Sequence, residues 1–295
     1  MTMGTDRRSV LAGLGAVSVV GCAPGKIAPP PAPFDLSALE ARHSGRIGLA
    51  LRVGDQTLDY KSAERFLYCS SFKMFLAAGT LQRADRGLER IDRRIAVTAS
   101  DPVGHSPVTE TFVGREMTVE ALCQATVEVS DNGAANILIR EFGGLEAWGG
   151  WYRAIGDQTT RVDRMELELN RADGDKDTTT PAQTVANLQA VYRHGDQAVL
   201  SQDSLDRLDG WLVASPTGPG RIKGGVSADM TVAHKTGTSG RGHVIDIGMI
   251  RPRIGAPAFI AVYVEAPAAS PDQREALIAE ATRLALAAVD FPVAA

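Results

Sequence analysis

Cysteine is almost missing from this 295-residue chain, which carries Cys22, Cys69 and Cys123 alone. So few thiols exclude a disulfide-stapled scaffold, and with 44% hydrophobic residues the chain can bury a core without staples. Histidine is nearly as scarce. His43, His105, His194, His234 and His243 are scattered without metal-ligand spacing, so neither a metal nor another cofactor is expected. Lysine occurs only at positions 26, 61, 73, 176, 223 and 235, and no basic run forms. With a net charge of −4, nucleic acid is not expected as a partner.

What is present begins with an export address. Arg7-Arg8 precede the apolar stretch Val10 to Val20, which is too short to span a bilayer. A twin arginine there reads as a twin-arginine export signal; the plainer reading is the positive end of an ordinary signal peptide. Residues 1–21 are assigned to that signal, and either route leads to a periplasmic or secreted protein. Val19-Val20-Gly21-Cys22 reads as a lipoprotein cleavage box with Cys22 lipidated, the alternative being a cut nearby that leaves Cys22 incidental. Residues 22–33, proline-rich from Pro29 to Pro33, form an extended tether suited to a body held off a membrane.

Beyond the tether, periodicity sorts the chain. Ile47, Leu49, Leu51 and Val53 alternate along Arg46 to Val53 and predict a strand, with Gly54-Asp55 turning into a hairpin partner at Thr57 to Tyr60. β-Branched residues predict strands at Val244 to Ile250 and Phe259 to Val264. Between them, 72–83, 118–129, 132–142 and 181–193 show helical spacing, and Thr180-Pro181 supplies a cap with proline at the first helical position. Ser270-Pro271 repeats that start before a long amphipathic helix reaching Val289. The pattern predicts an α/β fold: an antiparallel sheet built from both termini and flanked by helices, with a mostly helical domain inserted. The site belongs in the cleft between the two.

Three short motifs carry chemistry. In Ser70-Ser71-Phe72-Lys73 the serine and lysine are three residues apart, so on a helix they share a face, and a helix start beside Ser70 favours developing negative charge. Sixteen serines and six lysines make about 0.3 such matches by chance, so an N-cap serine with a surface lysine explains it equally well in isolation. Ser130-Asp131-Asn132 offers a hydroxyl to pass a proton and an amide to hold a carbonyl, though these residues also suit a plain turn. Lys235-Thr236-Gly237 precedes a strand; lysine and threonine there grip a carboxylate, and glycine permits close backbone approach. The three together have a chance expectation on the order of one in a thousand.

As a set these motifs resemble the penicillin-recognising serine enzymes. Arg164-Met165-Glu166-Leu167-Glu168-Leu169-Asn170 resembles the Glu-x-x-Leu-Asn loop that marks their class A serine β-lactamases. The likeness runs from about Phe34 to Val289 and implies an α/β domain of residues 34–68 and 212–295 with a helical domain of 69–211. It implies a monomer acting on β-lactams. Ser70 attacks the lactam carbonyl, helped by Lys73 or by Glu166 through water; Ser130 protonates the departing nitrogen, and Glu166 with Asn170 activates the deacylating water. Asn132 holds the substrate amide, while Lys235, Thr236 and Arg221 hold its carboxylate. Gly237 allows close approach, and Thr238 shares an oxyanion hole with Ser70. His105 stands where an aromatic ring commonly stacks on substrate, and Arg164 is expected to pair with Asp177 across the loop's ends.

The departures from the family pattern matter too. Leu167 replaces the usual proline at a bond that is often cis, His234 replaces the usual aspartate before the lysine, and Val244 lacks the arginine that Arg221 would supply instead. Cys69 resembles members of broad activity, but Ser239 and Ala77 stand where partners for Cys69 and Cys123 are found in other members, so both thiols are expected free and carbapenem turnover is left open without being implied. A D,D-peptidase shares the three motifs but does not need the Glu166 loop. A non-catalytic β-lactam sensor would usually carry a transmembrane signalling segment.

Overall fold

Residues from both ends of the chain meet in one sheet. The computed structural model describes residues 1–2 and 34–291, so most of the expected signal peptide, the tether and Cys22 lie outside the described residues. The first elements are α1 (Ser37–His43), β1 (Arg46–Val53), β2 (Gln56–Tyr60), β3 (Phe66–Leu67) and α2 (Lys73–Asp85). There follow β4 (Arg94–Ala96), β5 (Glu116–Thr118), α3 (Val119–Glu128), α4 (Asn132–Phe142), α5 (Gly144–Ala154) and β6 (Thr178–Thr179). The chain continues through α6 (Pro181–Val191), α7 (Gln202–Ala214), β7 (Thr231–Thr238), β8 (His243–Arg251), β9 (Ala258–Glu265) and α8 (Pro271–Ala288). The main sheet is antiparallel throughout, ordered β2-β1-β9-β8-β7.

Alternation along the strands divides the core in two. Ile47, Leu49 and Leu51 of β1 and Ile260, Val262 and Val264 of β9 pack with Leu277, Ile278 and Leu286 of α8 on one face. Ala261 and Tyr263 of β9 and Ile245, Ile247 and Met249 of β8 face the opposite way, into the larger core formed with the helices between the strand groups. Covering both faces explains why β8 and β9 read as nearly continuous apolar runs. Helix α6 lies on this second face, where Thr184 Oγ1 and Tyr263 Oη are 2.8 Å apart. Helix α2 is buried all round from Lys73 to Gln82 and forms the centre of the helical part.

Three helices, α1, α5 and α7, go beyond the periodicity reading. In α5 the interior pair Gly149-Gly150 depresses helix propensity by about 1 kcal/mol per glycine. Packing overrides that preference. Trp148, Trp151 and Tyr152 cluster with centroids 4.8–5.4 Å apart, the two indoles stacked, and removing one such buried ring costs about 3–5 kcal/mol. Gly143, at φ 110, ends α4 and starts α5 in a conformation that favours glycine.

Candidate active site

The expected helix start at Ser70 is a 3-10 turn, Cys69–Phe72, that runs directly into α2. Its hydroxyl opens into a cleft of about 450 Å³ lined also by Ser130, Asn132, Asn170, Arg221, Thr236 and Thr238. Cys69 (φ 45) and Ser130 (φ 59) both hold left-handed backbones, at about 1–3 kcal/mol each for non-glycine residues. Surrounding contacts enforce them. Cys69 is wholly buried, and the neighbouring Asp131 caps α4 by accepting from Ala134 N at 2.8 Å.

Lys73 is the centre of the polar network. Its ammonium donates to Ser70 Oγ at 3.1 Å, Ser130 O at 2.8 Å and Asn132 Oδ1 at 2.5 Å, and lies 3.1 Å from Glu166 Oε1. Burial pulls the Lys73 pKa below the ordinary lysine range, and the Glu166 carboxylate partly restores it. The Ser70 hydroxyl donates to Glu166 Oε1 at 3.2 Å, and Asn170 Nδ2 donates to Glu166 Oε2 at 2.6 Å.

The loop bearing Glu166 is held at both ends. Arg164 Nε donates to Asp177 Oδ2 at 2.5 Å, and Asp177 Oδ1 accepts from Asp163 N, Arg164 N and Tyr68 Oη. The Glu166–Leu167 peptide bond is cis. Asn136 fixes Glu166 itself: its side-chain amide donates to Glu166 O at 2.9 Å and accepts from Glu166 N at 3.0 Å.

The other wall is β7, an edge strand. Ser239 N donates to His243 O, so by antiparallel alternation Gly237 and Lys235 turn their N–H groups toward β8, while Thr236 and Thr238 turn theirs to the free edge. A Cβ on Gly237 would lie 2.9 Å from Tyr68 O, so only glycine lets the strand come this close to the Ser70 turn. Lys235 Nζ donates to Ser130 Oγ at 3.0 Å and Thr236 O at 2.9 Å. Burial, then the charge of Lys73, hold its pKa well below the ordinary lysine range.

Arg221 reaches the same wall from the turn after α7. It donates to Gly237 O at 2.9 Å, Ile245 O at 3.0 Å, Thr238 Oγ1 at 2.9 Å and Glu275 Oε1 at 3.1 Å. One N–H on Nη2 remains for a ligand. His105 stands at the exposed rim with Nε2 2.9 Å from Val129 O. Arg164 and Asp177 lie under the loop rather than lining the cleft.

The sequence model of the β-lactamase enzyme family matches residues 35–289. β-Lactamase L2 of Stenotrophomonas maltophilia is 40% identical over 256 residues, covering 85% of this chain and 84% of that one. The chain belongs to the class A serine β-lactamases. The carbapenem-hydrolyzing β-lactamase KPC of Klebsiella oxytoca is also 40% identical, covering 84% of this chain and 85% of its own. Among solved structures, an ancestral Gram-negative class A β-lactamase superposes with a TM-score of 0.82 at 44% identity, over 86% of this chain and 98% of that one.

Three residues that line or support this β-lactamase's cleft were not legible as site residues. Asn136 is four residues from Asn132 on α4 and thus on the same face, a weak signal. Asp131 accepts from Val108 N, Thr109 N and Thr109 Oγ1 and so anchors the loop carrying His105. Thr217 pairs with Thr236 through their hydroxyls at 2.8 Å, and nothing local in the sequence marks it. Cys69 and Cys123 are both free and buried. Burial pushes the Cys123 thiol up to about 12 and Cys69 higher still. Both are therefore expected to resist alkylation in the folded protein and to titrate as thiols after unfolding without reductant. Loss of either signal would reveal a bridge.

Proposed function

We propose that this β-lactamase opens the lactam ring through Ser70 and frees the product with a water activated by Glu166. One observation carries the assignment: Ser70 Oγ, Lys73 Nζ and Glu166 Oε1 lie within 3.2 Å of one another on the cleft floor. Ser70 Oγ attacks the lactam carbonyl carbon as its proton passes toward Glu166. Supporting that direction, the serine hydroxyl donates to Glu166, whereas Lys73 donates to the serine. The carbonyl oxygen becomes an oxyanion stabilised by the N–H groups of Ser70 and Thr238.

Ser130, between Lys73 and Lys235, gives its proton to the lactam nitrogen as the C–N bond breaks; Lys73 reprotonates Ser130 and recovers a proton from Glu166, which leaves Glu166 again a carboxylate. Lys235, Thr236 and Arg221 hold the substrate carboxylate, Asn132 its side-chain amide, and His105 the rim. A water deprotonated by Glu166 then attacks the acyl carbon, and as the ester C–O bond breaks Glu166 returns the proton to the departing Ser70 Oγ. Asn170 Oδ1, buried without a protein donor, suits it to orient that water.

Export as a monomeric periplasmic protein tethered through Cys22 is part of this proposal, supported by Arg7-Arg8, the short apolar stretch and the proline-rich segment. Incubating the purified protein with a penicillin, a cephalosporin and a carbapenem, and following ring opening, tests the assignment. Catalytic opening of at least one is expected; a single stoichiometric acylation without turnover would mark a sensor instead.

A further inference from the structure

His234 precedes Lys235 on β7 but faces the other way. It lies on the same side of the sheet as Val232, toward α8, while Lys235 points into the cleft. Both His234 and Asp246, its neighbour on β8, are 0% exposed. His234 Nδ1 is 2.9 Å from each Asp246 carboxylate oxygen. Asp246 Oδ2 also accepts the backbone N–H of Ile222 at 3.0 Å.

Ile222 directly follows Arg221, so the pair ties β7, β8 and the turn that presents Arg221. The tie has no competitor among the described residues. Nε2 of His234 is buried without a partner, and so the ring's one polar attachment is Asp246. A buried carboxylate that loses its donor is costly to keep, so the arrangement depends on the imidazole being there. The charged groups around it are Lys235 beside it on β7, Arg221 and Lys223 on the turn, and Glu275 of α8, which holds Arg221.

We propose that His234 is a positioning residue for the substrate carboxylate. It orients Asp246, Asp246 holds the Ile222 N–H, and the Arg221 guanidinium is thereby kept at the cleft wall. The proposal rests on the reading of Arg221 as a carboxylate anchor. Such an anchor grips ground state and transition state alike, so disturbing it shows in KM more than in kcat.

The test is a double-mutant cycle with a penicillin as substrate. Arg221→Ala is expected to raise KM about tenfold with kcat within about threefold. His234→Ala is expected to raise KM similarly, yet add less than about twofold in the Arg221→Ala background, because it acts through that residue. His234→Asn, whose Nδ2 can replace the imidazole Nδ1 as donor, is expected to return KM to within about twofold of the parent. Should His234→Ala not accumulate as folded protein, His234→Leu/Asp246→Leu removes the unpaired charge and is read in its place. Unchanged KM in His234→Ala, full additivity with Arg221→Ala, or no rescue by asparagine would overturn the proposal. An unchanged KM in Arg221→Ala itself would instead overturn the anchor on which it rests.

Discussion

Glu166→Ala is expected to acylate with a penicillin and then stop. Glu166 Oε1 lies 3.2 Å from Ser70 Oγ, and Oε2 is held by Asn170 at 2.6 Å, so this carboxylate is the base nearest to the position of an attacking water. Loss of a general base costs about 10²–10⁴ in rate, enough to make deacylation slower than acylation by any remaining route. The deletion also removes the carboxylate 3.1 Å from Lys73, the largest of the contributions that oppose the lowering of its pKa by burial. A neutral Lys73 amine can take the Ser70 proton, so acylation persists while hydrolysis fails. Rapid-quench intact mass should show an adduct on the mutant that outlives the mixing time by many minutes. Parental steady-state turnover in Glu166→Ala would refute the deacylation mechanism.

Ser70→Ala removes the atom assigned to carry the acyl group. Turnover should fall by about 10⁴-fold or more, and no penicilloyl adduct should appear by intact mass. Stability should change little by comparison. Ser70 is half-buried, and its hydroxyl serves Glu166 and Lys73, each of which keeps other partners. Folding is checked by thermal melting, where a shift of more than a few degrees would point to a structural role. An adduct mapped to another serine, Ser130 above all, would move the nucleophile there.

The two predictions separate the chemical steps, and the polar network explains why they differ so much. Ser70 supplies the covalent bond to the acyl group. Glu166 supplies a proton acceptor, a function that geometry and the local charge balance can partly replace during acylation. Lys235 and Arg221 stand on the far wall, where burial strengthens the pull of a charge on a substrate carboxylate but makes that charge costly to hold.

The sequence by itself determined the elements whose burial follows a simple period, and the motif residues that the chemistry requires. Alternating Ile47, Leu49 and Leu51 specified β1 because one sheet face excludes water. Thr180-Pro181 and Ser270-Pro271 specified the starts of α6 and α8 because capping is a local hydrogen bond. Ser70, Lys73, Ser130 and Lys235 stood out because three motifs that are weak singly occur together, and Glu166 because its loop resembles that of the class A enzymes.

Tertiary structure alone decided the rest. Aromatic packing made a helix of glycine-bearing α5. The left-handed backbones of Cys69 and Ser130 persist only where neighbours over-determine them. Asn136 meets Glu166 across 30 residues of sequence, Arg221 meets Glu275 across 54, and His234 reaches Asp246 diagonally on an adjacent strand. Those pairings are set by sheet order and helix packing, which bring distant residues into contact without leaving any local pattern in the chain.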